Sequence, residues 1–227
     1  MRANLRSASG ALLMLMILPV IVGLLACLPV PIGDPERSRV DPEITGVWAG
    51  FSGSDLAFYV FEPFDKRTWL LTGISFEQGD NADFDDYDLS SYKGLSRLME
   101  TESVGKDGAT ATEAVMYKAW MTRLGGVWFT TWEPKGLFGS EQFAPETWYV
   151  FRVDKVDSNT LELRFCCDDK FFPDDLKETR RAYERVIKKN AKNPEMFAED
   201  PMILSRVGDE HMSFFEELAR EVIADSD

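Results

Sequence analysis

Few side chains in this sequence could carry chemistry. There is one histidine, His211, and there are three cysteines, Cys27, Cys166 and Cys167. A Ser-His-Asp or Cys-His arrangement would have to run through His211, and no serine lies in a Gly-x-Ser-x-Gly elbow. His211 is therefore read as a surface histidine. The adjacent thiols Cys166-Cys167, followed by Asp168-Asp169, lack the further ligands that a metal site needs. Successive strand residues face opposite ways, which gives one buried and one outward thiol, while an oxidising compartment also admits a vicinal disulfide. Asp80 to Asp88 holds five aspartates. A calcium loop started at Asp83 would have Asp88 in place of its glycine and Gly94 in place of its glutamate, so a solvated acidic loop is expected. No catalytic residue, metal or cofactor is expected.

Aromatic residues make up 12% of the chain and concentrate in β-like runs. Trp69, Trp120, Trp128, Trp132 and Trp148 could line a ligand pocket inside a barrel, or they could fill a solid core, the simpler of the two readings.

The elements that must position these residues begin after residue 26. Arg2 and Arg6 precede the apolar run Ala11–Ala26, which is short for a spanning helix and is interrupted by Pro19. A basic start, a short apolar stretch and small residues describe a secretory signal peptide, residues 1–26. Leu24-Leu25-Ala26-Cys27 resembles a lipobox, which implies lipidation of Cys27 by acyl chains such as palmitate, with cleavage just before it. Residues 27–45 hold four prolines and are expected to form an extended tether that stands the domain off the membrane. Leu28 rather than aspartate after the cysteine favours, by resemblance to Gram-negative sorting patterns, the outer membrane facing the periplasm over the inner membrane.

Removing residues 1–26 leaves a domain of ordinary size and moves the net charge from −14 to −16. A surface that acidic repels phosphate backbones and anionic lipid, so nucleic acid is excluded and the lipid must do the anchoring. Lipidating Cys27 also leaves an even pair of thiols, Cys166 and Cys167.

Residues 46–227 read as one β-rich domain. It opens at Gly46-Val47-Trp48, and strands are expected at 56–61, 68–76, 117–124, 127–132, 148–156 and 160–165, with residues 100–112 as a polar connection. Gly125-Gly126 between two aromatic runs is a hairpin turn that needs positive φ. From about residue 174 the period changes. Leu176, Tyr183, Val186 and Ile187 share a helical face, and Ser213 to Glu216 matches a capping box that leads into Phe214, Leu218 and Val222. The expected fold is α+β: an antiparallel barrel or strongly curved sheet with C-terminal helices (about 174–227) packed on it.

Gly46-Val47-Trp48 resembles the Gly-x-Trp opening of the lipocalins, some of which are bacterial lipoproteins. That pattern also carries a Thr-Asp-Tyr element and a late arginine near a final helix. Cys27 to Glu36 resembles the mature start of an uncharacterised family of proteobacterial lipoproteins, which brings no activity with it. The expected function is a non-enzymatic envelope lipoprotein that binds a partner protein or a small apolar ligand. The alternatives are a hydrolase of an envelope polymer built on two carboxylates and an assembly role through the C-terminal helices.

Overall fold

The computed structural model describes residues 28–52, 55–78, 109–137, 148–166 and 169–208. Cys27, Cys167, His211, the Asp80–Asp88 run and the capping box at Ser213 lie outside the described residues.

Eight strands close into an antiparallel barrel in sequence order: β1 Gly46–Ser52, β2 Asp55–Pro63, β3 Trp69–Gln78, β4 Ala109–Leu124, β5 Val127–Leu137, β6 Tyr149–Lys155, β7 Thr160–Phe165 and β8 Met202–Arg206. The strand period of two puts alternate residues inside. The inward set is traced by directly opposed pairs: Trp48 with Tyr59, Phe61 with Leu71, Trp69 with Ala119, Trp132 with Tyr149, Phe151 with Phe165, and Leu161 with Leu204. These side chains form one interior cluster, buried apart from the partly covered Tyr149 and Phe165. Eight strands leave an interior that side chains of this size can fill.

The β4–β5 turn matches its expectation. Gly125 and Gly126 have φ of +60° and +87°, the signature of a type I′ turn. β4 starts at Ala109, so residues 109–112, expected as loop, belong to the ladder with β3.

The C-terminal quarter departs from expectation. It was expected to be helical throughout, yet its described part holds one α-helix, α1 Arg180–Asn190, followed by a 3-10 turn and β8. The helix does not start at Asp174. Thr179 holds an extended φ/ψ and its hydroxyl accepts from the Ala182 N–H, and this cap sets the first turn. Tyr183 and Ile187 are buried, and the Lys188 carbonyl with Ala191 closes over the Gly125 turn.

β8 is a missed strand. At five residues it is too short to show a period, yet it pairs with both β1 and β7 and closes the barrel. Gly50 of β1 faces it, and a Cβ there would collide with the Ile203 carbonyl oxygen.

The Pro-rich segment is also corrected. Residues 28–45 do not stand the domain off; they are packed onto it. Leu28 exchanges both backbone hydrogen bonds with Trp148 (3.0 and 3.2 Å). Ile32 is fully buried, and its carbonyl accepts from Trp120 Nε1 and Thr131 Oγ1, both at 2.8 Å. Proline favours an extended chain, but three apolar side chains, Leu28, Ile32 and Ile44, give that chain a surface to bury against. Among the described residues, no helix is long and apolar enough to cross a membrane.

Candidate functional site

The two ends of the barrel are built differently. One end carries the β2–β3, β4–β5 and β6–β7 turns, and residues 38–45 cross it. Ile44 and Val40 join the interior cluster from above. Trp48 Nε1 donates to the Ile44 carbonyl (2.7 Å), and Trp69 Nε1 donates to Thr45 Oγ1 (3.2 Å).

Arg206 completes this plug. It is the inward residue of β8 opposite Trp48, and its guanidinium carbon sits 4.2 Å from the Trp48 ring centroid. Its nitrogens donate to the carbonyls of Thr45 (2.8 Å) and Glu43. Burial lowers its pKa, partly offset by Glu43, and the guanidinium stays charged at any physiological pH.

On the rim, Lys155 Nζ lies 2.6 Å from Asp41 and 2.7 Å from Glu43. Burial alone would lower its pKa, but these two hydrogen-bonded carboxylates outweigh burial and raise it. In the β2–β3 turn, the Asp65 carboxylate accepts from the N–H groups of Arg67 (2.7 Å) and Thr68 (2.8 Å), which hold its pKa below the usual range.

At the opposite end the inward side chains become less covered. Tyr117, Tyr149, Phe165 and Met202 are half-buried and pack against the interior cluster from that side. Tyr149 meets Tyr117 edge-on at 5.9 Å and Phe165 edge-on at 6.2 Å. Below them, Trp132 contacts Tyr59, Phe61, Tyr117 and Phe151 at 4.5–6.1 Å between ring centroids. At this end β3 and β5 finish and β4 and β6 begin. These half-covered aromatics, with Trp132 beneath them, mark the less buried end of the barrel, called the mouth below.

The five tryptophans considered for either a pocket or a solid core are distributed over the molecule. Trp69 and Trp132 are inside. Trp120 is on the outer wall beneath Ile32, Trp148 is at the bridge with Leu28, and Trp128 is 47% exposed on the rim of the plugged end. Strand alternation explains the split, because Trp120 and Trp132 sit on opposite faces of one ladder.

Cys166 carries a free, fully buried thiol, and its N–H donates to the Val150 carbonyl (2.7 Å). Among the described residues the buried polar side chains are hydroxyls (Ser38, Thr68, Thr130, Thr131, Ser205), and no group of histidine, cysteine and carboxylate ligands could hold a metal ion.

Sequence reasoning missed Arg206, Tyr117, Tyr149 and Phe165. Arg206 carried no local signal, because its partners Trp48, Glu43 and Thr45 are distant in the chain. The mouth aromatics carried none, since strand alternation does not tell which end of a barrel is covered. Comparison with known proteins returns no matching family model, no matching curated protein and no matching solved structure.

Proposed function

We propose that this is a non-enzymatic, lipid-anchored protein of the bacterial envelope whose barrel takes a small apolar ligand through its aromatic mouth. The observation that carries the reading is the set of inward-facing but half-buried side chains, Tyr117, Tyr149, Phe165 and Met202, opposite a plugged end. Apolar surface that faces into a closed barrel and is not fully covered gains about 25 cal/mol per Å² when a ligand covers it. Support for a lipocalin-like reading of Gly46-Val47-Trp48 comes from Arg206, a late arginine stacked on Trp48 and bonded to the segment that leads into β1.

The anchor follows from Cys27 as the lipidated residue. Only one peptide bond separates Cys27 from Leu28, which is fixed by two hydrogen bonds to Trp148, and Trp148 directly precedes the mouth residue Tyr149. Lipid on Cys27 therefore holds the mouth within reach of the bilayer, with no flexible spacer between them. The outer membrane, periplasmic side, is the proposed location.

Two measurements test the two parts separately. Cys27→Ser abolishes lipid labelling and releases the protein from membranes; retained labelling would overturn the anchor. Full-length protein titrated with a fluorescent fatty-acid probe binds it saturably, and Tyr149→Ala weakens that binding. Absence of saturable binding, together with native protein that carries no extractable lipid beyond its anchor, would overturn the ligand reading.

A further inference from the structure

The plugged end is not featureless. Beside residues 38–45, between them, the β4–β5 hairpin and α1, lies a cleft of about 520 Å³. Its charged lining is Asp34, Arg37, Arg39, Arg123, Arg180 and Glu184, and its apolar edge is Trp128. Four arginines against two carboxylates give a local excess of positive charge in a chain whose net charge is −14.

Both carboxylates already serve the fold. Asp34 Oδ1 accepts from the Glu36 N–H (3.1 Å), and its other oxygen lies 3.6 Å from Arg37 and 3.9 Å from Arg180. Glu184 accepts from the Gly33 N–H (3.0 Å) and lies 3.9 Å from Arg180. That leaves Arg39 and Arg123. Arg123 donates to the Gly126 carbonyl (3.3 Å) and stands 5.6 Å from the Trp128 ring centroid. Neither Arg39 nor Arg123 has a carboxylate partner among the described residues. Arg39 and Trp128 also border a second cleft, of about 350 Å³, where Lys155 is held by Asp41 and Asp154 pairs with Arg152. The uncommitted positive charge is therefore concentrated beside the exposed indole.

We propose that this cleft binds a phosphate ester, with Arg39 and Arg123 on the phosphate and the organic group lying against Trp128. The planar guanidinium matches phosphate oxygens with paired donors, which an isolated lysine does not do. The indole is one of three large apolar side chains left exposed among the described residues, and it is the only aromatic of the three that borders either cleft. A polyanion would meet the acidic remainder of the surface, so a single phosphate group fits the local field where a nucleic-acid backbone does not. This site is independent of the barrel mouth, which lies at the other end.

The test uses full-length protein in a non-ionic detergent, titrated with phenyl phosphate, inorganic phosphate and phenol. The signal followed is the Trp128 indole N–H resonance, assigned by its loss in Trp128→Phe. Phenyl phosphate shifts that resonance saturably and binds about tenfold tighter than inorganic phosphate, a margin of about 1.4 kcal/mol. Arg39→Gln and Arg123→Gln each weaken phenyl phosphate about tenfold, and Trp128→Ala, followed by calorimetry, erases the margin over inorganic phosphate. Arg39 makes no ion pair among the described residues, so its variant keeps the fold, checked by an unchanged melting temperature. The proposal is overturned if phenyl phosphate gives no saturable shift up to about 10 mM. It is equally overturned if the arginine variants bind as the parent does, or if phenol binds as well as phenyl phosphate.

Discussion

The two ends of this barrel are made from the same strands yet solve opposite problems. At the plugged end three polar side chains brought inside find partners. Trp48 and Trp69 donate to backbone or hydroxyl oxygens, and Arg206 spends its donors on the Thr45 and Glu43 carbonyls. An unpaired polar group there would cost about 1–3 kcal/mol, so the plug is stable only as a set. At the mouth the inward residues are half-covered aromatics packed edge-on at about 6 Å. At one end inward polar groups are paired, and at the other the inward aromatics are only partly buried.

Substitutions should therefore separate stability from binding according to the end they touch. The largest effect is expected at Trp48, which is fully buried at the plug. Trp48→Ala removes its core packing, its bond to Ile44 and the surface under Arg206, and should cost about 3–5 kcal/mol, read as a drop in the urea midpoint. A loss below about 1 kcal/mol would mean the plug does not support the barrel.

Next comes Gly125→Ala. It places a Cβ 2.8 Å from the Lys188 carbonyl oxygen at φ +60°, so it should cost about 2 kcal/mol and loosen α1, seen as faster amide exchange in the helix. Unchanged exchange would separate the helix from the turn.

At the mouth, Tyr149→Ala should cost less, about 2 kcal/mol, because the side chain is only partly buried, while weakening an apolar probe severalfold. If its stability loss equals that of Trp48→Ala, the contrast between the ends fails.

The smallest effect is expected at Lys155. Lys155→Met should cost at most about 1 kcal/mol at low salt, because the pair is partly exposed. The raised pKa of Lys155 means its contribution is fully present below the ordinary lysine range and is lost as pH rises through the raised value. The difference in melting temperature between parent and variant should thus stay constant from neutral pH to about 10 and shrink above it. A difference that shrinks on mild alkalinisation would place the stabilisation elsewhere.

Much of the barrel is written locally. Six of its strands and the Gly125-Gly126 turn follow from side-chain period and turn chemistry, which need no knowledge of distant residues. Thr179 as a helix cap also acts locally, through the Ala182 N–H three residues on.

What the sequence could not determine is decided by partners far apart in the chain. β8 is five residues long, and only the two strands flanking it make it a strand. Residues 28–45 look like a tether because proline favours extension, and only the barrel wall reveals that Leu28 and Ile32 have somewhere to be buried. The tryptophans were visible as a group, yet their division among core, wall and rim depends on register and on which end is covered. Arg206 and Trp48 show the same rule. Each residue type was plain to see, but their stacking requires the first and last strands to meet, and closing that distance is paid for by the whole folded barrel.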